Sequence, residues 1–277
     1  HRLAAIVGYG YFRLGVAGLP TEATAKVAIV QSSIDVIFAL PTDEEREAHF
    51  LQYRDLTRSA RQTWPDLDLV LWPESGFPSP DLISDSDEER SVEYFAAAIK
   101  SVWHEVTGFP VDFPEPVPML VGCTTHDPAK QEMFNSALLI SNAGQVQFRY
   151  FKNHRVMIGE YTPLADWFPV LQGLSPVGRG LTAGTEFGTF EIKGVRFAPT
   201  ICFETTIPHL IRRQVNTLAE KGQEPDVLVN LTNDGWFFGT SCLDLHLACN
   251  VFRAVEMRKT NLVSANTGFS GQIDSIA

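Results

Sequence analysis

The chain has 277 residues, with 22 Lys+Arg against 33 Asp+Glu, giving a formal net charge of −11. Hydrophobic residues make up 44% and charged residues 20%, which excludes wholesale disorder and suits one or two packed α/β domains with a sizeable core. The acidic balance argues against a nucleic-acid partner, because a phosphate backbone demands clustered Lys and Arg.

No apolar run reaches the roughly 18 residues that a membrane helix needs. The nearest, Leu3–Phe12, is followed by Arg13. It reads as the trailing end of an upstream membrane segment or as a linker, over residues 1–20. The first residue is His1, not Met, and the last strand pattern ends three residues before the C-terminus. The expectation is a domain over 21–277, cut from something longer and truncated at its C-terminal end.

Lys26–Gln31 reads as a short apolar strand. Thr42 and Glu45 form a capping box that opens a helix to about Thr63. Asp68–Trp72 is a second strand. Ser86 and Glu89 form another capping box, opening a helix to about Glu105. Val117–Cys123 is a strand, and Asn135–Ile140 with Val146–Lys152 make a hairpin around Asn142-Ala143-Gly144. Residues 153–185 show no period, and a loop of that length inside a compact domain is uncommon and usually functional or disordered. Phe187–Ile192 and Val195–Ile201 form a hairpin around Lys193-Gly194, followed by a helix from about Ile207 to Glu220. Asp226–Leu231 is a buried strand. Ser241–Arg258 is helical, with Arg258 and Lys259 suited to the negative end of its dipole. Thr260–Ala265 and Phe269–Asp274 are the last strands. About ten strands and four helices in mixed order predict an α/β domain with a layered sheet core.

The four cysteines, at 123, 202, 242 and 249, form no C-x-x-C pair and no zinc spacing, so neither a disulfide scaffold nor a metal site is expected. His154 lies near Lys152 but lacks partner ligands for a metal.

Three polar residues stand just past apolar strands: Glu74 after Val70–Pro73, Lys152 after Tyr150-Phe151, and Cys202 after Phe197–Ile201. Strand ends beside loops are where α/β enzymes place working groups. A thiolate nucleophile, a carboxylate to take its proton and a cation for the oxyanion form a complete acyl-transfer set. Singly, each has a bland reading: a core cysteine, a solvated turn Glu, a surface Lys. The flanking sequences decide between the readings.

Those flanks resemble the carbon–nitrogen hydrolase (nitrilase) superfamily over nearly the whole chain, Val27 to Asp274. The matching segments are LWPES at 71–75, YFKNHRVMIGEYTPL at 150–164 and TICFE at 200–204. GEYTPL at 159–164, LTNDGWFFGTS at 231–241, His246, FRAVE at 252–256 and ANTGFSGQID at 265–274 are similar to one branch, the apolipoprotein N-acyltransferases. The resemblance implies a nitrilase-like α-β-β-α sandwich with mixed sheets, with residues 21–277 as its catalytic domain. It implies Glu74 as general base, Lys152 as oxyanion donor with the backbone N–H of Phe203, Cys202 as nucleophile, and Glu160 and Glu204 as supporting carboxylates. No cofactor is implied.

By the same resemblance the enzyme moves a fatty acyl group from phospholipid, through a Cys202 thioester, to the N-terminal amine of a diacylglyceryl-cysteine lipoprotein. The setting implied is the bacterial inner membrane, with this domain facing the periplasm and membrane contact through segments outside this chain. Tyr161, Trp236, Phe237 and Phe238 are candidate acyl-chain contacts, the last three on a mobile loop between Gly235 and Gly239. His246 and Glu256 read as structural. Two departures stand out: Val156-Met157-Ile158 replaces the family's Val-Pro-Phe, and Phe203 replaces a Tyr. The alternative is a soluble amidase that uses the same triad with water in place of the amine. A non-catalytic binding domain of this fold is expected to lack one of the three residues, and all three are here.

Overall fold

The computed structural model describes residues 2–16, 25–34, 42–77, 117–127, 130–165, 167–168, 170 and 180–276. The expected helix over Ser86–Glu105 lies outside the described residues, as do 17–20 of the expected leading segment and 171–179 of the long loop.

Two five-stranded sheets form the centre. In the first the order is β1 (Val27–Ile29), β2 (Leu69–Trp72), β3 (Met119–Asp127), β4 (Glu132–Ile140), β5 (Val146–Phe151). In the second it is β10 (Gly271–Ile273), β9 (Thr260–Ala265), β8 (Val227–Thr232), β7 (Val195–Ile201), β6 (Phe190–Ile192). Both are mixed. β1, β2 and β3 are parallel and β4 and β5 antiparallel, while β7, β8 and β9 are parallel and flanked by antiparallel β6 and β10.

Strand alternation builds the layers. Leu69, Leu71, Leu120 and Leu139 of the first sheet meet Phe197, Val229, Leu231 and Leu262 of the second in one buried cluster. Val70, Trp72, Val121 and Leu138 face the other way, against α2 (Asp43–Thr63) through Tyr53 and Phe50. On the far side Ala198 and Leu228 pack on Ile211, Val215 and Leu218 of α3 (Pro208–Glu220). With α4 (Cys242–Met257) beside α3, the molecule is an α-β-β-α sandwich.

Local signals hold at α2, where Thr42 Oγ1 accepts from Glu45 N (3.2 Å) and Glu45 Oε2 accepts from Thr42 N (2.7 Å). The expected strand over 117–123 is longer, because β3 and β4 pair with each other through nine residues, Met119↔Ile140 to Asp127↔Glu132. Its polar half, Thr124–Asp127, hides the strand in sequence, and the buried Thr125–Ser136 hydroxyl pair (2.6 Å) supports it in the fold. Arg258 is not in the last turn of α4 but caps it in the left-handed conformation (φ 56°). Its guanidinium donates to Tyr9 Oη of α1 (Arg2–Val16) at 3.2 Å. Among the described residues no helix is long and apolar enough to cross a membrane.

Candidate active site

The C-terminal ends of β2, β5, β7, β8 and β9 converge at one end of the sandwich. Glu74 follows β2, Lys152 follows β5 and Cys202 follows β7. Lys152 is buried and its ammonium lies between two carboxylates, 2.7 Å from Glu160 Oε1 and 3.3 Å from Glu74 Oε1. Asn135 Nδ2 donates to both of those oxygens, at 2.6 Å to Glu74 and 3.1 Å to Glu160. The second oxygen of Glu74 accepts from Asn233 N (2.9 Å), and that of Glu160 from Val156 N (2.8 Å). Every oxygen of the two carboxyl groups thus has a donor, so none of them is left unpaired next to the buried ammonium. Burial works against the Lys152 ammonium, but Glu74, then Cys202 and Glu160, outweigh it and hold the group above its ordinary pKa.

Cys202 opens a short 3-10 turn, Cys202–Thr206, and has φ +51°. A non-glycine residue in the left-handed region costs roughly 1–2 kcal/mol, so its surroundings must hold it there. Its carbonyl faces Asn230 Nδ2 (3.2 Å) and His246 Nε2 (3.3 Å). Desolvation, then the charge of Glu74, push the thiol up to about 12, against Lys152 and the Thr232 hydroxyl. The neutral thiol is therefore the favoured form of Cys202 at rest.

Glu204, two residues on, is fully buried and turned away from the cluster around Lys152. It accepts from Asn153 N (2.6 Å), Ile201 N (2.8 Å), His154 N (3.0 Å) and Tyr150 Oη (2.9 Å). Desolvation raises its pKa, and these donors and Lys152 work in the opposite direction. It staples the cysteine turn to the segment that carries Lys152. Phe203 is partly exposed, with its ring 6.1 Å from that of His154.

The aromatic candidates divide. Trp236 and Phe238 are exposed, whereas Phe237 turns inward, edge-on to His246 at 6.0 Å. Their segment is a 3-10 turn, Asp234–Phe237, closed by Phe238 at φ 47°, rather than an open loop. The Asn233 side chain accepts Gly235 N at its start, which fixes the turn. Tyr161 is half-buried under the Arg155 guanidinium, 4.4 Å from its ring centre. Met157, Leu164, Trp167 and Phe168 expose further apolar surface. Among the described residues no group of His, Cys, Asp and Glu is arranged to hold a metal ion.

Asn135, Asn230 and Asn233 escape the sequence reading. Each is polar in or just past an apolar strand, a pattern visible in sequence but silent about what the side chain meets. His246, read as structural, is buried against both the Cys202 turn and Asp234.

The solved structures similar to this chain include Saccharomyces cerevisiae Nit3, of the nitrilase superfamily, with a TM-score of 0.58 and 16% identity over 92% of this chain and 85% of that one. They also include a mutant of the amidase from Nesterenkonia sp. AN1 with an acetamide moiety covalently added at its active-site cysteine (TM-score 0.59, 16% identity, 94% and 86% covered). At that identity the likeness is one of fold. Curated relatives are nearer in sequence. The apolipoprotein N-acyltransferase of Bdellovibrio bacteriovorus is 31% identical over 96% of this chain and 47% of its own length. That of Geobacter metallireducens is 32% identical over 99% and 48%. The chain thus spans about half the length of these relatives. The carbon–nitrogen hydrolase family model matches residues 26–276, which takes in both sheets and all three converging residues. With that match and the two-sheet sandwich, the chain belongs to the carbon–nitrogen hydrolase family.

Proposed function

We propose that this chain is the catalytic domain of an N-acyltransferase that carries a fatty acyl group on Cys202. Glu74 takes the thiol proton, and the sulfur attacks the ester carbonyl of a phospholipid. Lys152 and the Phe203 N–H hold the oxyanion. The C–O bond breaks, the leaving alkoxide takes the proton back from Glu74, and a thioester remains. The N-terminal amine of a diacylglyceryl-cysteine lipoprotein then attacks and gives a proton to Glu74; the C–S bond breaks, Glu74 returns that proton to the departing sulfur, and an amide and the free thiol remain. Glu160 balances the charge on Lys152.

The observation that carries this reading is the Glu74–Lys152–Glu160 cluster at the strand ends beside Cys202, with Lys152 and Glu74 close enough for their charges to act on its thiol. The exposed apolar residues around Trp167 and Trp236 favour a lipid donor over the small amide of the amidase reading. They sit on the two segments that touch the cluster, through Val156 N to Glu160 and Asn233 N to Glu74. Similarity to the N-acyltransferases supports a place at the bacterial inner membrane, with this domain facing the periplasm. The exposed Val7, Tyr9, Tyr11 and Phe12 support reading 1–20 as the tail of a membrane segment or linker.

Mass spectrometry of the full-length protein incubated with phospholipid tests the reading. An acyl adduct on Cys202, absent in Glu74→Gln and Lys152→Met, is expected. An adduct on Cys123, Cys242 or Cys249 with full activity in Cys202→Ala overturns it, and hydrolysis of a small amide with no adduct from phospholipid favours the amidase.

A further inference from the structure

Three groups meet at the carbonyl of Cys202. Asn230 Nδ2 donates to the Cys202 carbonyl at 3.2 Å and to Thr200 Oγ1 at 3.0 Å. His246 Nε2 lies 3.3 Å from the same carbonyl, and its Nδ1 is 2.8 Å from Asp234 Oδ1. Asp234 in turn accepts from Thr232 Oγ1 at 2.7 Å. Asn230, His246 and Asp234 are all buried. Both oxygens that face the imidazole accept only, so both contacts are hydrogen bonds when each ring nitrogen carries hydrogen.

The consequence follows from peptide geometry. The unit joining Cys202 to Phe203 is planar and trans, so its N–H points opposite to its C=O. Two donors that fix the carbonyl on one side therefore fix the Phe203 N–H on the other. That N–H sits at the start of a 3-10 turn, where helix geometry supplies no acceptor for it.

We infer that Asn230 and the Asp234–His246 pair are positioning residues that clamp the Cys202 carbonyl and so aim the Phe203 N–H at the oxyanion. The inference rests on the reading of Cys202 as nucleophile and adds to it the part that orients the backbone donor. The clamp also gives the left-handed Cys202 its support, since a peptide free to flip would turn the N–H out of the site.

The experiment compares two reactions of the same sulfur in the full-length protein. Acylation by phospholipid passes through an oxyanion; alkylation by iodoacetamide does not. His246→Leu removes the donor at similar size, and His246→Gln retains an N–H close to the position of Nε2. In His246→Leu the acylation rate is expected to fall about 100-fold, the loss typical of an oxyanion donor. KM for phospholipid should stay within about twofold and the alkylation rate within about threefold of wild type. His246→Gln should recover at least about a tenth of the wild-type rate. Equal losses in acylation and alkylation, or no loss in either, overturn the clamp. If His246→Leu does not fold, Asp234→Asn carries the same test, with a split of about tenfold supporting the clamp and no split overturning it. If wild type forms no acyl adduct on Cys202, the reading of the site fails first and the clamp with it.

Discussion

The thiol of Cys202 and the carboxylate of Glu204 are both moved off their ordinary pKa by desolvation, with different consequences. For Cys202 the neutral thiol is favoured, and the negative Glu74 adds to that preference, so the thiolate is the minor form at neutral pH and its fraction rises toward about 12. Alkylation of Cys202, followed with the other three cysteines changed to Ser, is expected to keep accelerating at pH 10. An ordinary thiol, ionising near pH 8.5, levels off before then. A plateau below pH 9 contradicts the assigned environment. Glu204 instead holds four donors from two stretches of chain, 150–154 and Ile201. Tyr150→Phe removes the only side-chain donor of that set and leaves the buried carboxylate short of a partner. A loss of about 1–3 kcal/mol is expected, read as a lower midpoint in urea at constant slope. Because Glu204 links the Cys202 turn to the Lys152 segment, the acylation rate should fall with it.

At the scale of elements, two glycines set how closely the site-bearing strand ends approach their neighbours. A Cβ on Gly122 of β3 would lie 2.5 Å from Pro73 O and 2.6 Å from Glu74 Cα. Both atoms are backbone, which cannot swing aside. Gly122→Ala is expected to displace the end of β2 and cost acylation at least tenfold, with the alkylation rate of Cys202 changed far less. Equal activity would show that β2 shifts without moving the carboxylate. Gly184 plays the matching part for β5: a Cβ there would collide with the Phe151 carbonyl, and Gly184 N donates to Lys152 O at 2.8 Å. A clash costs most where the surroundings are already packed. Neither glycine stands out in the sequence, because its reason is a crossing strand end distant along the chain.

At the scale of the described molecule, the polar cluster sits at one end of a sandwich where two segments, 153–165 with 167–168 and the turn at 233–239, expose apolar side chains. A fatty acyl chain gains about 0.8 kcal/mol for each CH₂ it buries, so under the proposed function this surface favours long-chain donors. Trp236→Ala is expected to leave the melting temperature nearly unchanged, since the ring is 46% exposed, and to slow transfer from long-chain donors more than from short-chain ones. Equal slowing for both, with a large drop in melting temperature, would assign the ring to packing instead. Phe237, turned inward against His246, serves as the internal contrast: its loss should destabilise.

The sequence by itself determined the alternation that makes the strands, the Thr42–Glu45 cap, the α/β order, and the three polar residues at strand ends. These are local properties: a period of two, a box of four residues, a break from apolar to polar. Its flanking motifs carried the family and pointed to Glu160 and Glu204. What only the tertiary structure decided is what those residues touch. Asn135 meets Glu74 across 61 positions of chain, Asn233 N reaches Glu74 across 159, and His246 reaches the Cys202 carbonyl across 44. Asn233 reaches Glu74 because the two sheets pack face to face, Asn135 reaches it across the first sheet, and His246 meets Cys202 because α4 packs on the turn after β7; no local pattern encodes such pairings. Tertiary structure also separates the three adjacent aromatics at 236–238, because a 3-10 turn sends the middle ring inward and leaves its neighbours more exposed.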